Sequence, residues 1–302
     1  MTRVVGPDAE AHLDWLGLTD ALAAGHALPR AQIADTFLYE EERTLLTRSA
    51  WIAGLGVLVK AATVFPGNPA RGLPMVGGAA SLMSDDDGSL AAVIDFALLT
   101  RWKTAADSLL AARRLAPPRV ERILIVGAGT VGASLVAAYG AAFPKARVAV
   151  WNRTPAGAER FAKAHPVEVC RDLAAGCAEA DIVSCATMST DPVLRGDWLR
   201  PGQHIDLIGA YRPDMREADD AALRRSRLFV DSRDTTIAHI GELKDPISRG
   251  VIGPGDVIAD FYDLDAFRRA PDDITLFKNG GGAHLDLMTA AYILDRVRAA
   301  SG

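Results

Sequence analysis

"RILIVGAGTVG", residues 122–132, decides the fold. Ile123 to Val126 form an unbroken apolar run, as a parallel strand buried on both faces does. The run leads directly into Gly127, Gly129 and Gly132, spaced G-x-G-x-x-G, and a helical pattern continues to about Ala142. Strand, glycine turn and helix in that order are what a dinucleotide-binding unit requires. Gly127 permits the tight turn, Gly129 lets the backbone approach a pyrophosphate, and Gly132 lets helix and strand pack closely. The helix start, at Thr130 and Val131, offers unsatisfied N–H groups to the anion.

The next strand ends in a polar corner, "VAVWNRT", residues 148–154. In such a unit this corner meets the adenosine ribose, where an acid would hold both hydroxyls and select NAD. Here the corner holds Asn152, Arg153 and Thr154. A guanidinium pairs with a 2′-phosphate through its planar fork, whereas a carboxylate would repel it. Asn152 and Thr154 add hydrogen-bond donors. The corner therefore favours NADPH.

Outward from this unit, "DIVSCAT", "QHIDLIGA", "RLFVDS" and "DITLFKN" read as further strands, with "PAGAERFAKAH" a helix between the earlier ones. Strands alternating with helices predict an α/β fold with a Rossmann-type, doubly wound parallel sheet. Ahead of it the pattern differs. An amphipathic helix is expected over residues 9–24, then β structure over 35–95, including "GVLVKAATVF" and a hairpin about Asp86-Asp87-Gly88. A helix from residue 98 stops at Pro117-Pro118, which marks a boundary between a smaller α+β domain and the dinucleotide domain. A last helix is expected over 282–300.

Composition excludes some classes. With 49% hydrophobic residues the chain can bury a substantial core, and a net charge of −5 gives no electrostatic case for nucleic acid. No apolar stretch is long enough to span a bilayer, and Asp8, Glu10 and Asp14 interrupt any signal-peptide pattern, so a cytoplasmic location is expected. Cys170, Cys177 and Cys185 have neither zinc-site spacing nor an even count; three thiols without a role are expected. An anionic substrate would need local cations. The candidates are Arg30, Lys60 inside an apolar strand, and Lys103 in the helix that follows; buried lysine is rare unless paired.

In order along the chain, "LVKAATVFPGNPARGLP", "TRWKTAADS", "VGAGTVGASLV", "VWNRT", "LIGAYRPDMREAD", "VDSR" and "ITLFKNGGGAHLDL" resemble the ornithine cyclodeaminase/μ-crystallin family. The resemblance covers almost the whole chain and is closest to the branch of Δ1-pyrroline-2-carboxylate (ketimine) reductases. It implies a homodimer, with residues 1–117 and 278–302 as the dimerisation and substrate domain and residues 118–277 as the NADP-binding domain. It implies that Arg30 and Lys60 grip a substrate carboxylate. The family's second arginine, in "RTAA", is Lys103 here, which keeps the charge and loses the fork. Lys103 then contacts another part of the substrate or takes part in proton transfer. Cyclodeaminases carry an aspartate where this chain has Tyr211, and Met75 stands where many relatives have a hydroxyl residue. Both departures fit a plain cyclic substrate better than ornithine.

The expected activity is NADPH-dependent reduction of Δ1-pyrroline-2-carboxylate to L-proline, or of the six-membered Δ1-piperideine-2-carboxylate to L-pipecolate. Lys103, Tyr211 or water would handle the proton. The competing expectations are a cyclodeaminase, an alanine dehydrogenase-like enzyme, and a non-catalytic NADPH-binding protein. His204, His239 and His284 receive no assignment.

Overall fold

The computed structural model describes residues 2–302. The chain divides into two compact units: the residues up to Lys103 together with Gly282–Gly302, and Thr104–Gly281. The division falls inside a single helix.

The first unit contains β1 (Arg3–Val5), α1 (Trp15–His26), β2 (Gln32–Glu40), β3 (Arg43–Ile52), β4 (Gly56–Val64), β5 (Val76–Met83), β6 (Leu90–Asp95) and the start of α2 (Phe96–Leu115). The helix expected over residues 9–24 is broken in two. A short 3-10 turn covers Pro7–His12, and α1 begins only at Trp15, because the Asp14 side chain accepts the Gly17 N–H and caps it. The six strands form one sheet in the order β1-β6-β5-β4-β3-β2, antiparallel except for β1 on β6. The hairpin about Asp86-Asp87-Gly88 forms as expected, with Gly88 at φ +72°.

In the second unit come β7 (Arg122–Val126), α3 (Thr130–Ala142), β8 (Arg147–Trp151), α4 (Pro155–Ala164), β9 (Glu168–Val169), α5 (Leu173–Glu179), β10 (Ile182–Cys185), β11 (His204–Leu207), α6 (Asp220–Arg225), β12 (Arg227–Val230), α7 (Arg233–Thr236), α8 (Gly241–Ser248), β13 (Val257–Ala259) and β14 (Thr275–Lys278). The eight strands run wholly parallel in the order β13-β12-β14-β11-β10-β7-β8-β9. The glycine-loop strand β7 stands where the winding reverses, between β10 and β8. Ligands of such sheets bind at the carboxyl ends of the strands beside that point. Leu124, Val126, Val183, Cys185, Ile205, Leu207, Leu228 and Leu276 fill the apolar core.

Helix α9 (Ala283–Ser301) belongs to the first unit and packs across β3 and β4 and against α1. The α1 contact is close: a Cβ on Gly25 would lie 2.6 Å from the Met288 side chain. Leu58 and Ala62 of β4 and Leu285, Leu287 and Ile293 of α9 are buried, each contributing roughly 1.5–3 kcal/mol for the larger side chains.

Candidate active site

Each unit brings together its own set of polar groups. In the second unit the glycine loop shows which glycines the fold requires. A Cβ on Gly127, which has φ +118°, would lie 2.5 Å from the Ala186 carbonyl oxygen, and one on Gly132 would lie 2.4 Å from the Gly127 carbonyl oxygen. Gly129 is different. Its backbone is ordinary extended chain (φ −101°, ψ −171°), and a Cβ there would meet nothing within 4 Å. Nothing in the protein fills the space beside Gly129, as expected where a ligand's pyrophosphate needs bare backbone. Gly129 is also the N-cap of α3, and no side chain caps it, so Thr130 and Val131 begin a helix with free N–H groups. Glycine loop, Trp151, Asn152, Arg153 and the segment Ala186–Ser189 line a cleft of about 240 Å³.

The corner after β8 differs in detail from the sequence reading. Asn152 is occupied by the protein itself: its Oδ1 accepts the Ala128 N–H at 3.3 Å, and its Nδ2 donates to Thr154 Oγ1 at 2.9 Å. It stitches the glycine loop to the corner. Arg153 is exposed and has no ion-pair partner among the described residues, so its fork is available to a ligand.

Glu217, which sequence reading passed over, orders the floor of this cleft. Its Oε1 accepts the Thr187 N–H (2.7 Å) and hydroxyl (2.9 Å), and its Oε2 accepts the Gly209 N–H at 2.6 Å. One fully buried carboxylate thus ties the chain after β10 to the chain after β11. Glu242 in turn accepts the N–H groups of Glu217 and Ala218. Burial, and then the nearby Glu217 charge, push Glu242 up to about 7. The signal in the sequence was a glutamate four residues after Pro213, a charge placed amid residues that fold inward. Tyr211, on the loop before it, is 57% exposed and lies with its ring 5.7 Å from the Arg212 guanidinium.

The first unit holds the cations. Lys60 is 5% exposed and Lys103 6%. Lys60 points inward because β4 alternates, placing Leu58, Lys60 and Ala62 on the face covered by α9. Its Nζ donates to Asp286 Oδ1 at 2.9 Å and stands 4.8 Å from the Phe96 ring centroid. Burial lowers the Lys60 pKa, with Lys103 and Arg48 adding to the fall, while Asp286 opposes it. Asp286 is fully buried; the attraction of Lys60, Lys103 and Arg48 outweighs burial and holds it below the ordinary carboxylate range. Lys103 has no hydrogen-bond or ion-pair partner among the described residues.

Arg48 and Asp35 were missed from sequence, and His284 was left without an assignment. Strand register sets Arg48 directly opposite Lys60 on β3, and Asp35 directly opposite Arg48 on β2, so the three share one face. Arg48 binds Asp35 through Nε and Nη2, at 3.1 and 2.8 Å. The tight turn between β3 and β4 was legible, and counting back from it would have paired Arg48 with Lys60. His284, two residues before Asp286, is fully buried edge-on to His26 with ring centroids 5.3 Å apart. Burial first, then His26 and Lys103, hold it well below the usual histidine range and so neutral. Arg30 is exposed, in the turn leading into β2.

The cysteines are free thiols, and burial raises all three, Cys177 to about 12, which disfavours thiolate chemistry. Among the described residues no cluster of side chains could hold a metal ion, and no helix is long and apolar enough to cross a membrane.

Comparison with known proteins gives a consistent result. A model of the ornithine cyclodeaminase/mu-crystallin family matches residues 48–301. Over 296 residues the chain is 52% identical to a Delta(1)-pyrroline-2-carboxylate reductase of Paracoccus denitrificans, covering 95% of this chain and 94% of that one. It is 32% identical over 240 residues to the ketimine reductase mu-crystallin of Mus musculus, covering 78% and 74%. Among solved structures, an archaeal alanine dehydrogenase dimer with bound NAD superimposes with a TM-score of 0.89 at 25% identity, covering 100% and 97%. A Thermococcus litoralis Delta(1)-pyrroline-2-carboxylate reductase, in complex with NADH and L-proline, shares the fold with a TM-score of 0.89 at 24% identity, covering 99% and 98%.

Proposed function

Because the chain belongs to the ornithine cyclodeaminase/mu-crystallin family, we propose that it reduces a cyclic 2-imino acid with NADPH, taking Δ1-pyrroline-2-carboxylate to L-proline. It is an oxidoreductase acting on a carbon–nitrogen bond. The observation that carries the substrate class is the charge of the buried cluster. Lys60 and Lys103 are both buried; among the described residues Asp286 is the carboxylate that pairs with Lys60, and Lys103 has no hydrogen-bond or ion-pair partner. An uncompensated buried charge is costly, so such a site favours one small anion. The carboxylate of a 2-imino acid is such an anion, and charge-assisted hydrogen bonds from the two ammoniums would fix it.

Gly129, Thr130, Val131 and Arg153 would hold the dinucleotide, with Gly127 and Gly132 shaping the turn and Asn152 and Thr154 bracing the corner. When bound, the nicotinamide supplies the hydride. The exposed Arg153 fork supports NADPH over NADH. Lys103, Tyr211 or water would hold the proton that the imine nitrogen takes up. Arg30 and Tyr211 would contribute to substrate binding, and the six-membered Δ1-piperideine-2-carboxylate, yielding L-pipecolate, is the alternative ring. Phe37, Leu38 and Tyr39, all exposed on β2, support a homodimer. A cytoplasmic location fits these substrates.

The test is NADPH oxidation with Δ1-pyrroline-2-carboxylate, Δ1-piperideine-2-carboxylate, or pyruvate plus ammonia, each repeated with NADH. Rapid turnover of a cyclic imine by the wild type, abolished in Lys60→Ala with NADPH affinity retained, is the expected result. Silence with both rings, or ammonia release from ornithine, would overturn the assignment.

A further inference from the structure

Lys60 lies in a setting that works against its charge. Burial lowers its pKa, and two other cations, Lys103 on α2 and Arg48 on β3, face it. Around the same space α1 contributes His26 and α9 contributes His284 and Asp286; Asp35 on β2 is turned to Arg48 through a paired contact. His284 is held neutral. Asp286 is therefore the one carboxylate among the described residues that contacts either lysine. Its Oδ1 accepts from Lys60 Nζ at 2.9 Å, with the lysine side chain 6% and the aspartate side chain 0% exposed. Its Oδ2 is buried without a hydrogen-bond partner.

The helix fixes this carboxylate in place. Asp286 sits in the first turn of α9, flanked by Leu285 and Leu287, both fully buried. Among the described residues no other acceptor is hydrogen-bonded to the Lys60 ammonium. A lysine is a carboxylate clamp or a proton donor only as the ammonium. In a buried space holding other cations, that form needs a fixed anion.

We propose that Asp286 is a positioning residue for the reaction: it holds Lys60 oriented and protonated, so that the site presents a cation to the imino acid at working pH. The proposal rests on the assignment of Lys60 to the substrate carboxylate. It adds that the pH range of activity is set from α9 rather than by Lys60 alone. The direction follows from the sign of the interaction. Without the aspartate charge the Lys60 pKa falls further, and the ammonium is lost at lower pH.

The experiment compares wild type with Asp286→Asn, which keeps the side chain's size and one carbonyl acceptor and removes the charge. The chain has six lysines, so the side-chain resonances of protein labelled with 13C at lysine Cε can be assigned from single Lys→Arg variants and titrated directly. The Lys60 pKa should fall by about one unit or more in Asp286→Asn. The alkaline limb of kcat/KM for the cyclic imine should move down by the same amount, with about a tenfold loss above it and recovery toward wild type below it. NADPH affinity should be unchanged. An unmoved Lys60 titration, or a loss of activity uniform with pH, would overturn the proposal, since either would mean that Asp286 only supports the fold. The resonance titration does not depend on turnover. If wild type reduces no cyclic imine while the Lys60 pKa still falls in Asp286→Asn, the functional assignment fails and the hold of Asp286 on Lys60 stands.

Discussion

The glycine loop yields a prediction in which fold and ligand separate. A Cβ at position 132 would lie 2.4 Å from the Gly127 carbonyl oxygen, a backbone atom that cannot rotate away. Overpacking of this kind costs about 1–3 kcal/mol, and a clash with main chain belongs at the upper end. Alanine recovers about 1 kcal/mol through better helix propensity. Gly132→Ala should therefore destabilise the protein by about 2 kcal/mol, lowering the Tm of the cofactor-free protein by roughly 4–8 °C for a unit of this size. Gly129→Ala should behave oppositely. The backbone there is extended and the space is open, so alanine brings no strain. It restricts the unfolded chain by about 0.4–1 kcal/mol and should leave Tm unchanged or raise it by about 1–4 °C. Its methyl group would occupy the space kept for the pyrophosphate, and NADPH affinity should fall at least about tenfold, or 1.4 kcal/mol. Melting curves without and with NADPH, together with calorimetric titration, measure both effects. If Gly129→Ala binds NADPH as wild type does, or melts below Gly132→Ala, the distinction between a glycine the fold needs and one the ligand needs is wrong.

Three other outcomes are expected. Arg153→Asp should raise the Kd for NADPH about 10- to 100-fold, the loss of one charge-assisted contact of about 1.5–3 kcal/mol, with little change for NADH; equal losses would remove Arg153 from the phosphate site. Glu242 is raised to about 7 by burial and then by Glu217, so its contribution to stability is fully present below about pH 4.5 and lost as pH rises through 7. Glu242→Gln, which cannot ionise, should thus flatten the fall of Tm over that window. An unchanged slope would assign the titration elsewhere. Sedimentation equilibrium should find a dimer at micromolar concentration, and Leu38→Glu on the exposed face of β2 should shift it toward monomer; a monomeric wild type would refute the assembly.

The parallel sheet and the glycine loop were legible in the chain because their signals are local. Four apolar residues, three glycines at fixed spacing and a helix start lie within eleven consecutive positions, and each states its own conformational need. The antiparallel sheet of the first unit was legible as strands and as one hairpin. The break at Asp14 was less visible, because capping competes with an apolar pattern that runs straight through it.

What the sequence determined by itself, then, is the class of fold, the glycine turn between the first parallel strand and its helix, and Lys60 as an oddity within an apolar strand. What only the tertiary structure decided is the company that lysine keeps. Asp286 lies 226 residues away along the chain and reaches Lys60 because α9 returns to lie across β3 and β4. Glu217 and Glu242 likewise act through backbone groups far along the chain. A charge's effect depends on what surrounds it within a few ångströms and on how much water is excluded. Neither quantity exists until distant segments have packed.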